Sequence, residues 1–173
     1  MRTYTRKAQS ADTEAIMKIL NDGIAYLKEQ GLPQWQDGHG PDRENIKDDM
    51  INGYAYVMID DGKIVGYGTL VPGPEEAYEN MTEGKWQGES HRYIAVHRIA
   101  VDVTVRGKGL AKILLHDLIV LARNLEYKDI RIDTYPKNFI MEKVIYAAGF
   151  IYRGMTHFGY THGERKAYQL LLD

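Results

Sequence analysis

The stretch that decides the fold is Ile99-Ala100-Val101-Asp102-Val103-Thr104-Val105-Arg106-Gly107-Lys108-Gly109-Leu110-Ala111-Lys112. An apolar strand runs into a loop with two glycines. The loop opens a long helix, marked by Ile113, Leu114, Leu118, Leu121 and Leu125 at amphipathic spacing. A helix N-terminus presents unpaired N–H groups and the positive end of the helix dipole. Glycine lets a backbone approach a ligand with no Cβ between them. Arg106, Lys108 and Lys112 add positive charge. Together these features predict a site for a phosphate or diphosphate.

Outward from this stretch, the pattern alternates strands and helices. Thr3 to Lys7 reads as a strand. Ser10, Asp12 and Thr13 offer capping oxygens to a helix whose apolar positions are Ile16, Ile19, Leu20, Ile24 and Leu27, ended by Gly31-Leu32-Pro33. Gln34 to Pro41 is a loop, and Asp42 to Asn52 a second helix. Tyr54 to Ile59 and Lys63 to Val71, joined at Asp60-Asp61-Gly62, form a hairpin. Pro72 to His91 is polar and long for a connection, which marks a functional flap or an insertion. Tyr93 to Val101 is a strand, Asp129 to Tyr135 another, and Asn138 to Ala148 a helix capped by Gly149. Phe150 to Phe158 and Lys166 to Leu172 close the chain as two strands. The order predicts an α/β (α+β) fold with helices on both faces of one mixed sheet.

Composition narrows the classes. The 173 residues suit a single domain over 1–173. Lys plus Arg is 22 and Asp plus Glu is 24, a net charge of −2, so there is no electrostatic footprint for nucleic acid or an anionic membrane. The chain has no cysteine, which excludes disulfides, thiolate metal sites and cysteine nucleophiles. No His or carboxylate spacing suggests a metal. Leu110 to Ala122, the longest apolar region, is broken by Lys112, His116 and Asp117 and is too short to span a bilayer. With no export-like segment, the expected location is the cytoplasm.

Three phosphate loops compete for the glycines. A P-loop needs GxxxxGK followed by Ser or Thr, which is absent. A dinucleotide fingerprint starting at Gly107 would put its third glycine on Lys112. The diphosphate loop of acyl-coenzyme A transferases, Arg/Gln-x-x-Gly-x-Gly/Ala, fits at Arg106, Gly109 and Ala111. Here the chain resembles the GNAT superfamily of N-acetyltransferases. A second segment, Asn138-Phe139-Ile140-Met141-Glu142-Lys143-Val144-Ile145-Tyr146-Ala147-Ala148-Gly149-Phe150, is similar to that family's later helix, which opens with Asn and closes on Gly-Phe. The two motifs stand in the family's order and spacing. The implied fold is a GNAT-like mixed central sheet of about six or seven strands flanked by about four helices.

The resemblance implies an acetyl-coenzyme A dependent N-acetyltransferase that acts by direct transfer onto an amine of a small molecule or peptide. The strand before the loop would splay, with Ile99, Ala100 and Val101 pairing to the pantetheine arm. The diphosphate would sit on the amides from Arg106 and Gly107 through Lys108, Gly109, Leu110 and Ala111 to Lys112. Asn138 would reach the arm, cap its own helix, or do both. An attacking amine must first lose a proton, since its pKa is about 10. Asp133, five residues before Asn138, is the first candidate base. His97 is the second, expected by period two to share a strand face with Ile99 and Val101. A backbone N–H near Val101 would stabilise the oxyanion. Many members carry a tyrosine acid at the position held here by Ile145; Tyr146 is next to it, about 100° around the helix. The acid is then Tyr146, Tyr135 or water, or the thiolate leaves unassisted. Trp35, His39, Tyr54, Tyr56, Trp86 and His91 suggest an aromatic acceptor pocket. The sequence also allows a coenzyme A binding protein without catalysis, or an ATP or dinucleotide binder, and a monomer or homodimer.

Overall fold

The computed structural model describes residues 2–88 and 91–173. In chain order the elements are β1 (Thr3–Lys7), α1 (Thr13–Glu29), α2 (Arg43–Ile51), β2 (Ala55–Asp60), β3 (Lys63–Pro72), α3 (Glu76–Glu79), β4 (Glu83–Gly84), β5 (Ile94–Val101), α4 (Leu110–Asn124), β6 (Asp129–Thr134), α5 (Phe139–Ala147), β7 (Ile151–His157) and β8 (Glu164–Leu171). The eight strands form one sheet ordered β1-β2-β3-β5-β6-β8-β7-β4. The β5–β6 pair is parallel, and the other pairs are antiparallel.

The expected fold is present, with more elements than anticipated. Both additions, α3 and β4, lie inside the 72–91 connection. They have four and two residues, too few to show a periodicity in sequence. Ser10–Asp12 forms a 3-10 turn rather than a side-chain cap on α1. Asp12 is instead paired to Arg6 at 2.7 Å.

Two cores flank the sheet. On one face Leu110, Leu114, Leu115 and Leu118 of α4, with Val144 and Ile145 of α5, pack on Ile94, Val96, Ile130 and Ile132. On the other, Ile16 and Leu20 of α1 and Ile46 of α2 cover Ala55, Val57, Ile59 and Tyr67. A smaller cluster packs Tyr78 of α3 against Tyr93 and Ala95, with Trp86 and Phe158 beside them. The packing of α4 is close enough to require glycine beneath it: a Cβ at Gly68 would lie 2.8 Å from Leu118 Cδ1.

Two irregularities of β5 build the site. Its parallel ladder with β6 runs only from Ile94↔Ile130 to Val96↔Ile132, whereas its pairing with β3 continues to Val101. The two central strands therefore part beyond Val96. In addition, Tyr67 opposes Ala100 and Thr69 opposes His97, so Arg98 and Ile99 together face Gly68. This is a β-bulge, and Arg98 takes φ 50° in it. The extra residue breaks the period-two expectation. Ile99 and Val101 pack on the α4/α5 side, while His97 meets the Tyr78 ring at 5.7 Å on the opposite side.

Candidate active site

The gap between β5 and β6 opens a cleft of about 1050 Å³. That is at the upper end of the roughly 300–1,000 Å³ usual for small-molecule sites. Its walls include Val96 to Val101, Ile132 to Thr134, the start of α4, Asn138 to Met141, and α1 with the loop that follows it.

One end has the geometry to cradle an anion. Gly107 and Gly109 have φ of 81° and 72°, a conformation other residues adopt at a cost of roughly 1–2 kcal/mol. A Cβ on either would meet nothing within 4 Å, so the requirement is conformational and the loop's surface stays open. Gly109 is the N-cap of α4 and supplies no side-chain hydrogen bond. Among the described residues, the first-turn amides of Leu110, Ala111 and Lys112 have no intrahelical or side-chain partner, and all three residues line the cleft. Arg106 lines it too, its guanidinium 3.1 Å above the Tyr26 ring of α1. Lys108 is exposed and outside the lining.

Along the middle of the cleft, Ile99, Ala100 and Val101 turn toward it the β5 edge that has no strand beside it. Asn138 stands opposite. Its Oδ1 accepts from Met141 N at 3.1 Å, which caps α5, and its Nδ2 donates to Gln34 Oε1 at 2.9 Å.

At the other end lies a buried polar cluster. His97 Nε2 is 2.6 Å from Glu75 Oε2, and Nδ1 is 3.8 Å from Asp133 Oδ2. Tyr78 donates its hydroxyl to the same Asp133 oxygen at 2.6 Å, and Arg165 Nε lies 3.7 Å from Oδ1. Burial alone would lower the His97 pKa, but the hydrogen bond and charge of Glu75, with Asp133, outweigh it and hold the imidazole above its ordinary value. Burial pushes the Asp133 carboxyl up, against the pull of His97, Tyr78 and Arg165. Burial, then the charges of Asp133 and Glu75, keep the Tyr78 phenol well above its ordinary value, so it remains a neutral donor.

Sequence reasoning missed Glu75, Tyr78 and Arg165. The first two come from the 72–91 connection. Their only local signal was a spacing of three residues, which one helical turn converts into a shared side. The expected aromatic pocket is smaller than anticipated: Trp35 and His39 line the cleft, and Tyr54, Tyr56, Trp86 and His91 do not. Tyr56 is in the α4 core, and Trp86 packs against Tyr78, donating to its carbonyl at 2.7 Å. Phe158 and Tyr160 take part instead, Tyr160 stacking on His39 at 3.9 Å. Tyr146 is turned away from the cleft, half exposed and edge-on to Tyr168 at 5.5 Å. The reason is the helical phase: Ile145, one residue earlier, is the one buried against the sheet. Tyr135 does not line the cleft either.

The sequence profile of the Acetyltransferase (GNAT) family matches residues 20–150. Among solved structures, a GNAT-family acetyltransferase from Streptococcus agalactiae 2603 is 35% identical, with a TM-score of 0.90 over 99% of this chain and 96% of its own. One from Listeria monocytogenes 4b F2365 is 23% identical, with a TM-score of 0.75 over 98% and 95%. The acetyltransferase yncA from Salmonella typhimurium, solved with its cofactor acetyl-CoA, is 21% identical, with a TM-score of 0.69 over 99% and 94%. The last two show a common fold. No curated protein matches. The profile spans both motifs and the parted strands between them, and the chain belongs to the GNAT family of acetyltransferases.

Proposed function

We propose that the protein is a cytoplasmic N-acetyltransferase, a single domain over residues 1–173, that moves an acetyl group from acetyl-CoA directly to a primary amine of a small molecule or peptide. The observation that carries this reading is the continuity of the cleft. One open channel joins an uncapped helix N-terminus to a buried imidazole–carboxylate cluster. The former suits a diphosphate and the latter a proton transfer.

Acetyl-CoA supplies the acyl group as a thioester. The first-turn amides of α4, with Arg106 and Lys112, hold the diphosphate. The β5 edge at Ile99 to Val101 pairs with the amide groups of the arm, and the bulge amides at Arg98 and Ile99 face the developing oxyanion. We place the base at His97. Its Nε2–H donates to Glu75, which leaves the lone pair on Nδ1 directed toward Asp133. Nδ1 takes the amine proton, and Asp133 orients the amine. With Tyr146 outside the cleft, water protonates the thiolate or it departs unassisted. An inactive coenzyme A binder is the alternative. The cluster argues against it, because holding His97 and Asp133, largely shielded from solvent, against the buried Tyr78 is costly and such groups collect at functional sites.

The ligand half of the reading is tested by thermal denaturation with acetyl-CoA, coenzyme A, ATP and NAD side by side. A ligand at a hundred times its Kd stabilises by about 2.7 kcal/mol, roughly 5–10 °C for a domain of this size. The expected result is a shift with both coenzyme A forms and a far smaller one with ATP or NAD. Equal shifts with ATP or NAD, or none at all, would overturn the assignment of the α4 cradle.

A further inference from the structure

Glu75 lines one cavity and holds a residue that lines another. One of its carboxylate oxygens meets His97, which lines the main cleft. Glu75 itself lines a second cavity of about 430 Å³ with Glu76, Ala77, Asn80, His157, Phe158 and Gly159. Phe158 lines both cavities, and the His97–Glu75 hydrogen bond crosses from one to the other.

The chemistry of amine acetylation gives this arrangement a use. The amine arrives largely as an ammonium ion, because its pKa is about 10. One ammonium and one thioester yield one amide, one thiol and one surplus proton. That proton must leave while both substrates fill the main cleft.

We propose that Glu75 relays the proton from His97 to the second cavity, which takes it up while both substrates fill the main cleft. The amine N–H bond breaks as the Nδ1–H bond forms on His97. The Nε2–H bond then breaks as an O–H bond forms on Glu75, and water in the second cavity takes that proton. The imidazole is left neutral with its proton on Nδ1; once the products leave, water in the main cleft takes that proton as Glu75 passes one from second-cavity water back to Nε2. The groups facing the relay fit this direction. Asp133 and Arg98 line the cleft beside His97, Arg165 pairs with Asp133 there, and Tyr78 packs on the imidazole from outside the lining. On the side of the second cavity Tyr93 accepts from Glu75 N at 2.7 Å and donates to Glu79, while Glu76 and His157 line the cavity. The inference rests on the acetyl-transfer reading.

The test is the pH profile of kcat in wild type, Glu75→Gln and Glu75→Ala with an accepted amine. Removing the Glu75 charge leaves burial to lower the His97 pKa, so the acid limb moves to lower pH in both variants. The decisive reading is the plateau above both limbs, where His97 is neutral in every form. A relay predicts a plateau roughly ten- to hundredfold below wild type. It also predicts that formate, small enough for the second cavity, restores kcat in Glu75→Ala in a concentration-dependent way and leaves wild type unchanged. A wild-type plateau in Glu75→Gln, or a lowered one in Glu75→Ala that formate does not lift, overturns the relay. If Glu75→Ala does not fold, the dependence of the Glu75→Gln plateau on buffer concentration decides: dependence supports the relay and indifference overturns it. Wild type that acetylates no amine overturns the transfer reading and the relay with it. Wild type that transfers while the variants keep its plateau overturns the relay alone.

Discussion

Replacing His97 with glutamine lowers kcat by roughly 10²–10⁴-fold and leaves the affinity for acetyl-CoA unchanged. The magnitude is that of a lost general base. Glutamine keeps the shape and a donor for Glu75, so the Glu75 contact at 2.6 Å has a replacement. It has no nitrogen lone pair to accept the amine proton. The anion cradle is built from α4 and the loop before it, at the other end of the cleft, and touches none of the His97 cluster. A thermal-shift titration reports the unchanged affinity, and steady-state kinetics report the fall in kcat. Activity within a few-fold of wild type would move the base to Asp133.

Replacing Asp49 with alanine destabilises the fold by about 3 kcal/mol, and a lowered kcat accompanies the loss. Asp49 is 4% exposed on α2 and grips the Arg98 guanidinium through two bonds of 2.7 and 2.5 Å. Tyr67 donates its hydroxyl to the same carboxylate at 3.0 Å. Burial, and then the charge of Asp49, pushes that phenol up, so it remains a donor. Alanine strands both partners. The functional effect follows from position: Arg98 is the bulge residue at φ 50°, and its side chain ties the bulge to α2. Released, the bulge loses its anchor in the wall of the cleft, which both Arg98 and Ile99 line. Chemical or thermal denaturation measures the first effect, and a drop of roughly 6–12 °C is expected. A change below about 1 kcal/mol would mean that Arg98 finds water in the cleft and that Asp49 does not hold the bulge.

The glycine loop and the start of α4 were legible because their physics is local. Arg106 to Lys112 is a contiguous run in which glycines, charges and a helix start coincide. The long helices were legible for the same reason, as was the stop at Gly149, which follows the C-cap Ala148 and takes φ 96°. The bulge at Arg98 was not legible. A one-residue mismatch between paired strands leaves no mark on either strand's own sequence, and it put His97 on the other face from Ile99. The polar cluster was hidden for a second reason. Glu75, His97, Asp133 and Arg165 come from four separate segments joined by sheet topology. Two of them, His97 and Asp133, stood out from strand position and family spacing. Glu75 and Tyr78 lay in a connection whose four-residue helix is held by tertiary contacts, among them Tyr78 to Asp133, rather than by its own periodicity.

The central claim is that this cleft carries an acetyl group from a thioester to an amine. The most direct measurement is the release of free thiol from acetyl-CoA by wild-type enzyme, followed with and without a panel of primary amines and amino-terminal peptides. The account predicts release above the amine-free rate for at least one class, with acetylated amine formed in equal amount and a rate that rises with pH as His97 loses its proton. Tight acetyl-CoA binding with no amine-dependent release across the panel would contradict it and leave a coenzyme A binder in its place.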